Sequence, residues 1–573
     1  MATTAVPVSG VPQRGALART LWYRQLDHYP DTAPRFLYLG IVVAATVLLY
    51  YQLYIAGAVA PSILVHYHMS FRYYVYISVV GNAIGAFSSL LAGLGDRWGR
   101  ANMVTYGLLI VGLLILFGVP NAPNQFTFGL MLVLVGFVEG IILVATPALV
   151  RDFSPQLGRA SAMGFWTLGP VVGSLCVAEV SSHTLPHLHA WQDQFTICGI
   201  VGLVVFVIAL FGLRELSPNL RDQLMVSMHD RALIEARASG LDISESLKNP
   251  WRQMLHLDVV GSAFAIAVFL IIYYTAVGFF VIYFSTIFGF TEAQANGIGN
   301  WFWAFDAVAL ILIGLASDKL RVRKPFMIAG ALGAVAMTIV FLTRTSAPHT
   351  GYYTFVWIVT LMSICLGIAY APWMASFTET VEKRNPALTA TGLAVWGWII
   401  RAVVAISVFI LPFVVNSMTP LVEYGAQAQA IAAKYPDQVK TLGEIDAATL
   451  KVLGSSNPIP ALGKAESEVA AARNLASPND ALPYILALPK VPKADLAFLA
   501  AHGTQVVTAQ KVTASQWRHW WWVCVGGEIV FIPLVFLMVG RWSPARARKD
   551  AEEHEAKVQA ELRAMAGTTT AAV

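Results

Sequence analysis

The sequence predicts an all-α membrane protein of twelve spanning helices arranged as two related halves of six. Low charge, long apolar runs and a repeated loop pattern support this fold class. Of 573 residues, 57% are hydrophobic and 12% are charged, and the mean hydropathy is +0.62. Soluble proteins carry about 25% charged residues, and apolar runs near 20 residues can cross a bilayer. Unpaired backbone groups are costly in lipid, so these runs must form helices or a closed barrel, and their length favours helices.

Twelve apolar segments are predicted to span the membrane, and an even number places both chain ends on the same side. Their approximate limits are 36–60, 72–94, 101–120, 126–149, 161–182, 195–213, 258–286, 294–316, 325–343, 352–377, 388–415 and 519–541. Lys and Arg are concentrated in the loops after even-numbered spans and after the last span. The positive-inside rule therefore places both termini in the cytoplasm. The alanine-rich composition and the absence of eukaryotic sorting signals favour a bacterial inner membrane.

The spans divide the chain into seven segments. These are a cytoplasmic N-terminal segment (1–34), a six-helix bundle (35–213), a cytoplasmic linker (214–256), helices 7–11 (257–415), an extracytoplasmic insertion (416–517), helix 12 (518–541) and a cytoplasmic tail (542–573). Helical spacing of apolar residues predicts one or two surface helices in the linker. The insertion is rich in Ala and Pro and is predicted to form short amphipathic helices. It is a candidate lid, a partner-docking site, or an insertion tolerated at little cost in stability.

A loop pattern occurs twice, about 220 residues apart. The first copy, from Gly93 to Arg100, reads GLGDRWGR, and the second, from Gly314 to Lys324, reads GLASDKLRVRK. In both copies a Gly ends an apolar helix, an Asp stands beside a cation, and further cations follow. These cations could serve only as topology signals, but charge bias alone does not require the recurring Gly and Asp. The repeat indicates that the chain contains a duplicated six-span unit.

The repeated pattern resembles the loop motif of the major facilitator superfamily, which follows the second span of each six-helix half. The resemblance covers roughly residues 35–415 and 518–541, and it implies two bundles that rock about a shared cavity. The gating positions it implies are Gly93, Asp96, Arg97, Gly99 and Arg100 in the first copy, and Gly314, Asp318, Lys319, Arg323 and Lys324 in the second. We expect Asp96 to hold the halves together on the cytoplasmic side through helix amides or an Arg. The second copy departs from the family pattern at 320–322, and we expect its hinge to be less tight.

Three ionisable residues lie near the middle of predicted spans: Glu139 in span 4, Asp306 in span 8 and Arg401 in span 11. Each would cost about 2.5–3.5 kcal/mol if it faced lipid, so each should face the interior. A desolvated carboxyl group can bind and release a proton near neutral pH. Glu139, beside Gly136 and Gly140, is therefore a candidate for proton coupling, and the alternative is a hydrogen-bonded packing residue. The two glycines would let another helix or a ligand approach closely.

The charge of the solute stays open at this stage. Asp306 could carry a proton, or it could pair with Arg401 in a structural salt bridge or a substrate site. Alone, the guanidinium of Arg401 would suit a carboxylate or phosphate. Aromatic residues are candidates for the cavity wall, where they could stack on a sugar or an aromatic ring, with packing as the alternative for each. These residues are Tyr50, Tyr51, Tyr54, Tyr273, Tyr274, Trp303, Tyr370, Trp373, Trp396 and Trp398.

Together these features predict a secondary transporter that moves a small organic solute by alternating access and is coupled to protons. An uncoupled facilitator is one alternative. A proton-linked exporter of hydrophobic compounds is another, because Gly169-Pro170 partly resembles a span 5 motif of such exporters. A polytopic membrane enzyme is a distant third, since no catalytic cluster stands out. We expect no cofactor, no metal and no nucleic-acid partner; the expected partners are the solute, protons, the lipid bilayer and, as one option, a protein at the insertion.

Overall fold

The computed structural model describes residues 21–89, 98–153, 158–218, 249–347, 349–385, 388–453 and 459–549, with a few isolated residues besides. Helices cover the six predicted spans of the first half, and we keep the span numbers as their names. Span 1 is Thr32–Ala58, span 2 Phe71–Ser89, span 3 Arg100–Leu113 with a π turn to Gly118, span 4 Gln125–Phe153, span 5 Gly158–Thr184 and span 6 Trp191–Gly212. A short helix, Ala60–His66, follows span 1.

Helices also cover the six predicted spans of the second half. Span 7 consists of Leu257–Phe269 and Ile271–Phe288, span 8 is Glu292–Leu320, span 9 Lys324–Arg344, span 10 Tyr352–Arg384, span 11 Thr389–Val414, and span 12 is the last part of Thr504–Leu534. A short helix, Pro250–Met254, precedes span 7. Within the described residues, ten helices are long and apolar enough to cross a membrane. The helices at spans 2 and 5 are not among them, so the count of twelve stays a prediction.

The two halves share one packing pattern. Span 1 packs against spans 4, 5 and 6, span 2 packs against span 4, and span 3 packs against spans 4 and 6. Adding six to each number gives the contacts of the second half: 7 with 10, 11 and 12, 8 with 10, and 9 with 10 and 12. Between the halves, span 5 packs against span 8, span 11 against span 2, and span 1 against span 7. This pattern is what a duplicated unit with a pseudo-two-fold axis produces.

The described residues between spans 11 and 12, 416–453 and 459–503, are mostly helical. Their helices are Met418–Lys434, Pro436–Glu444, Ala447–Leu453, Ile459–Arg473, Leu482–Leu486 and Lys493–Phe498. They have a small apolar core of their own around Val469 and Ile485. We call the side of the molecule that carries this segment the insertion face and the opposite side the linker face.

The predicted border between the insertion and span 12, at 517/518, lies inside one continuous helix, Thr504–Leu534. Where the membrane-spanning part of this helix begins stays a prediction. The polar stretch before Trp517 stays helical because Met418–Lys434 packs along it. The Thr513 hydroxyl, for example, donates to the Ser417 carbonyl at 3.2 Å.

The N-terminal segment is tied to the residues after span 6, which the sequence did not predict. Strand Gln25–Leu26 pairs in parallel with strand Glu215–Leu216. The guanidinium of Arg24, which is 2% exposed, donates to the carbonyls of Ala209 and Leu210 at 2.9 Å each and to the Asn102 side chain at 2.8 Å. It thereby supplies a charged donor to two carbonyls in the last turn of span 6, where backbone donors run out; the Ala209 carbonyl also accepts from the Leu213 amide at 3.0 Å. The predicted linker helices around Leu224, Met228 and Leu233 lie outside the described residues.

Replacing Arg24 with Ala should destabilise the first half. The substitution leaves two buried helix-end carbonyls and Asn102 without a charged donor, and hydrogen bonds to charged groups contribute about 1.5–3 kcal/mol. Thermal unfolding of the purified full-length protein should show a lower midpoint for Arg24→Ala. Arg546→Ala is the matched control, because Arg546 is exposed. Equal midpoints for the two variants would contradict the anchoring role.

Candidate functional site

Span 1 is broken near its insertion-face end, and the other half of the molecule closes the break. At Val59 the backbone leaves the helix (φ −126°, ψ 22°), and the chain resumes as Ala60–His66. In a continuous helix the Ser62 amide would donate to the Ala58 carbonyl. Instead, the Ser62 amide donates to a Glu292 carboxylate oxygen at 2.8 Å, and the Asn296 side chain donates to the Ala58 carbonyl at 2.9 Å. One intrahelical bond is thus replaced by two bonds to span 8.

Further contacts close the halves together at the same face. The Asn300 side chain, one turn beyond Asn296, donates to the Ser182 hydroxyl at 2.9 Å. The rings of Phe71 and Phe279 meet edge to face with centroids 5.8 Å apart. A Cβ at Gly57 would lie 2.8 Å from the Val277 carbonyl oxygen, so only Gly permits this approach of spans 1 and 7.

The insertion contributes to this closure. Helix Met418–Lys434 packs against Ala60–His66, against the end of span 7 and against helix Thr504–Leu534. The His68 ring nitrogen lies 3.7 Å from a Glu423 carboxylate oxygen, which links the first half to the insertion. The described contacts therefore hold the two halves together at the insertion face.

Glu139 lies in span 4 with a buried carboxyl group. It is 1% exposed, and among the described residues neither carboxyl oxygen has a hydrogen-bond partner. Span 4 packs against span 1, the helix that carries Tyr50 and Tyr54. Because buried polar groups are normally paired, this group is one that packing does not explain.

The glycines beside Glu139 let span 4 pack closely on span 2. The sequence left two roles open for them, the approach of another helix or of a ligand, and this is the approach of a helix. A Cβ at Gly136 would lie 3.0 Å from the Gly81 carbonyl oxygen, and a Cβ at Gly140 would overlap the Gly85 carbonyl and the Ser88 hydroxyl. The partial exporter motif has a similar explanation. A Cβ at Gly173 would lie 2.5 Å from Tyr50 Cβ, so the small residues of span 5 accommodate span 1.

Arg401 lies at mid-length of span 11 and is exposed. Span 11 packs against span 2 of the first half and against span 7 of the second, so Arg401 lies on a helix at the border between the halves. Asp306, by contrast, is 4% exposed, and no ion pair joins it to Arg401 within the described residues. It lies on span 8, which packs against span 10.

Two aromatic residues predicted for the cavity wall lie elsewhere. Trp373 is fully buried, its indole nitrogen donates to the Ser262 carbonyl at 3.2 Å, and its ring stacks on Phe377. Tyr51 is 3% exposed and points into the first half, towards Cys176 and Cys198. Both belong to helix packing, because neighbouring residues on a helix face different directions.

Tyr50, Tyr273 and Tyr274 lie where the two halves meet. Tyr50 lies on span 1, which packs against span 7 across the interface, and the Tyr273 ring contacts Tyr274 and Trp303 at centroid distances of 5.3 and 5.1 Å. Among the described residues, the Tyr273 hydroxyl is buried without a hydrogen-bond partner. With Glu139 and Arg401, these residues are the candidates for a central site between spans 1, 4, 7 and 11.

The first loop motif is described only in part. Gly93, Asp96 and Arg97 lie outside the described residues. Gly99 has φ +93°, and a Cβ there would lie 2.5 Å from a Glu215 carboxylate oxygen, so the position favours Gly. Arg100, at the start of span 3, pairs with Asp152 at the end of span 4 at 2.9 Å.

The second loop motif makes the equivalent pair in the other half. Arg323, just before span 9, pairs with Glu379 of span 10 at 2.9 Å and with Asp318 at 2.7 Å. Lys324 lies 5.8 Å above the Phe536 ring. Lys319 is exposed, and a Cβ at Gly314 would meet nothing within 4 Å. Arg100 and Arg323 thus bind acids of their own half, while Asp96, expected to join the halves, is not described.

Sequence reasoning missed the Glu292–Asn296 contact with span 1 and treated Glu528 as a residue near a span end. Glu528 is fully buried, and one of its oxygens accepts from the Thr338 hydroxyl at 2.8 Å. The available signal was the spacing of Glu292, Asn296 and Asn300, which places three polar residues on one helix face. Within the described residues, no cluster of His, Cys, Asp and Glu could hold a metal ion.

Comparison with known proteins adds a family and a fold. A model of the family described as Major Facilitator Superfamily matches residues 42–406, and no curated protein matches the chain by sequence. A bacterial homologue of the human lysosomal transporter Spinster is similar in its inward-facing occupied form, with a TM-score of 0.56 and 15% identity over 89% of this chain and 97% of that one. The unoccupied form of the same homologue matches with a TM-score of 0.56 and 15% identity over 90% of this chain and 100% of that one. A D-xylose–proton symporter has a TM-score of 0.52 and 13% identity over 68% and 96%. At these identities the likeness is one of fold.

Removing the Asn296 side chain should favour opening of the insertion face. Asn296→Ala leaves the Ala58 carbonyl without its donor, and a hydrogen bond of about 1 kcal/mol corresponds to a roughly fivefold shift in population. A reporter cysteine at Ala178, which is 3% exposed, should then react several-fold faster with an impermeant maleimide in a background that lacks the four native cysteines. Asn121→Ala is the control, because Asn121 donates only to Phe117 in its own segment. An unchanged labelling rate would contradict the role of Asn296 in closure.

Proposed function

The chain belongs to the major facilitator superfamily, and from this premise we propose that it couples the movement of a small organic solute to a proton carried by Glu139. The family match covers more than half of the chain. Members of the family are membrane transporters and not enzymes, so the membrane-enzyme alternative is excluded. The proton and the solute are the parts that we add.

The observation that carries the proposal is the unpartnered carboxyl group of Glu139. An ionised carboxylate without a partner costs several kcal/mol in a low-dielectric interior, whereas a neutral carboxyl group costs far less. Glu139 is therefore expected to hold a proton while it is buried as described and to lose it when water reaches the site. Alternating access supplies that change of environment. Tyr50 and Tyr54 lie on span 1, which packs against span 4, and their hydroxyls are candidates to contact the solute together with the carboxyl group.

Asp306 is the second candidate for proton binding. It is buried and has no ion pair with Arg401, as described above. It lies beside span 10, where a Cβ at Gly367 would be 3.2 Å from its carboxylate oxygen. Among the described residues, both carboxyl oxygens of Glu139 are buried without a hydrogen-bond partner, which is not the case for the oxygens of Asp306. We therefore assign the coupling proton to Glu139.

Orientation follows from charge. The linker face carries Arg100, Arg323 and Arg384, and the positive-inside rule makes this face cytoplasmic in a bacterial inner membrane. The insertion then lies outside, where it packs over the closed end of the transporter.

Glu139→Gln should abolish solute accumulation driven by a proton gradient while leaving solute exchange intact, because the amide keeps the shape but cannot release a proton. The measurement is uptake into proteoliposomes with and without an imposed pH gradient, across a panel of radiolabelled organic acids, sugars and amines. Glu528→Gln is the matched control, a fully buried carboxyl group in span 12. Retained gradient-driven accumulation in Glu139→Gln, or its equal loss in Glu528→Gln, would contradict the assignment.

The proposed topology has its own test. Green fluorescent protein fused after Val573 should fluoresce in bacterial cells, and alkaline phosphatase fused at the same point should be inactive, since both report a cytoplasmic C-terminus. Active phosphatase at this position would reverse the orientation.

A further inference from the structure

We propose that the seam between spans 2 and 11 binds the phosphate group of an anionic membrane lipid at its insertion-face end, with Arg72 as the residue that holds it. The bound lipid would help to keep the two halves closed at this face. The site lies apart from Glu139 and Arg401, and the inference does not depend on proton coupling.

The seam brings one residue of each half together at successive turns. The guanidinium of Arg72, the second residue of span 2, lies 5.3 Å from the ring centroid of Phe413, near the end of span 11. One turn deeper in the membrane, the rings of Tyr76 and Phe409 stack with centroids 5.5 Å apart. Because Arg72 and Phe413 both lie at the insertion-face ends of their spans, their contact lies near the level of the lipid headgroups.

A cavity of about 270 Å³ lies at this end of the seam. Its volume is close to the lower limit of ordinary small-molecule sites, about 300 Å³, so it has room for a phosphate group. Its lining includes Ser70 and Arg72 of the first half, Pro412 and Asn416 at the end of span 11, and Thr419 of the insertion. A ligand in this cavity would therefore contact both halves and the insertion.

The charge at the cavity is positive. Arg72 is exposed, and no carboxylate pairs with it within the part of the chain that the structure describes. The one acid of helix Met418–Lys434, Glu423, lies one turn beyond Thr419 and contacts His68 at 3.7 Å. A guanidinium binds phosphate oxygens through two parallel hydrogen bonds. The cavity therefore favours an anion, and phosphate is the anion that a membrane supplies at this level.

Exposed apolar side chains beside the cavity favour a lipid over a free phosphate. Ile406, Phe409, Ile410 and Phe413 are between 43% and 57% exposed. Their spacing of three or four residues places them on one face of span 11, where they form a stripe that leads from the cavity into the membrane. An acyl chain can lie along this stripe while its phosphate stays beside Arg72.

A binding experiment separates the two sources of phosphate. Binding of radiolabelled dioleoylphosphatidylglycerol to the purified full-length protein in detergent is measured by scintillation proximity, with dioleoylglycerol and inorganic phosphate as competitors. We expect dioleoylglycerol, which has the same chains without the phosphate, to compete at least fivefold less well than unlabelled phosphatidylglycerol. Millimolar inorganic phosphate should displace nothing. Equal competition by the two lipids, displacement by free phosphate, or no saturable binding would overturn the proposal.

A pair of arginine variants tests the assigned residue. Arg72→Gln should weaken phosphatidylglycerol binding at least fivefold, because the amide cannot pair with the phosphate. Arg344→Gln should bind as the wild type does, and it is the matched control because Arg344 is also an exposed arginine at the insertion-face end of a span. Unchanged binding in Arg72→Gln, or equal losses in the two variants, would overturn the site.

The closing role has a separate readout. The reporter cysteine at Ala178 should react several-fold more slowly with impermeant maleimide when phosphatidylglycerol is added to phosphatidylcholine nanodiscs. This slowing should be absent in Arg72→Gln and retained in Arg344→Gln. Labelling rates that do not respond to phosphatidylglycerol, or that respond equally in both variants, would overturn the role in closure. Neither experiment uses a proton gradient, so its failure is distinct from failure of proton coupling at Glu139.

Discussion

The broken turn at the end of span 1 is the interaction on which the described conformation depends. A helix break in a membrane protein frees backbone groups that lipid cannot satisfy. Here the freed amide and carbonyl belong to Ser62 and Ala58, and their partners come from the other half, through Glu292 and Asn296. The first half is thus complete at this end only while the second half is docked on it. Opening the insertion face must expose these groups to water, which can replace the lost bonds.

The cost of leaving polar groups unpaired also divides the ionisable groups of the membrane interior into those that have a partner and those that lack one. Arg100 and Arg323 sit at helix ends beside acids of their own half, and Glu528 has a hydroxyl donor. Among the described residues, by contrast, the Glu139 carboxyl oxygens have no hydrogen-bond partner. A carboxyl group in this state is neutral while it is buried and can ionise when water reaches it, which is the property that proton coupling requires.

Hydropathy predicted the helices well because burial in lipid demands long apolar runs, and the limits of span 9 differ by only one residue at each end. It did not predict the length of the helix that contains span 12, since packing on Met418–Lys434 extends that helix through polar residues. Glu139 and Arg401 could be singled out because charge is rare within a span. Trp373 and Tyr51 could not be assigned to packing, because a residue type does not reveal the direction its side chain faces. The bonds of Asn296 were beyond sequence reasoning, as they require both a helix break and the register between two halves.

The central claim is that the two halves close at one face when they open at the other. Electron–electron distance measurements test it most directly, with spin labels at His187 and His349 across the insertion face and, in a second sample, at Trp98 and Leu320 across the linker face, all on a background without native cysteines. These four positions are exposed. The account predicts two distances at each face, with the fraction that is open at the insertion face equal to the fraction that is closed at the linker face. Single, fixed distances, or two faces that open together, would contradict it.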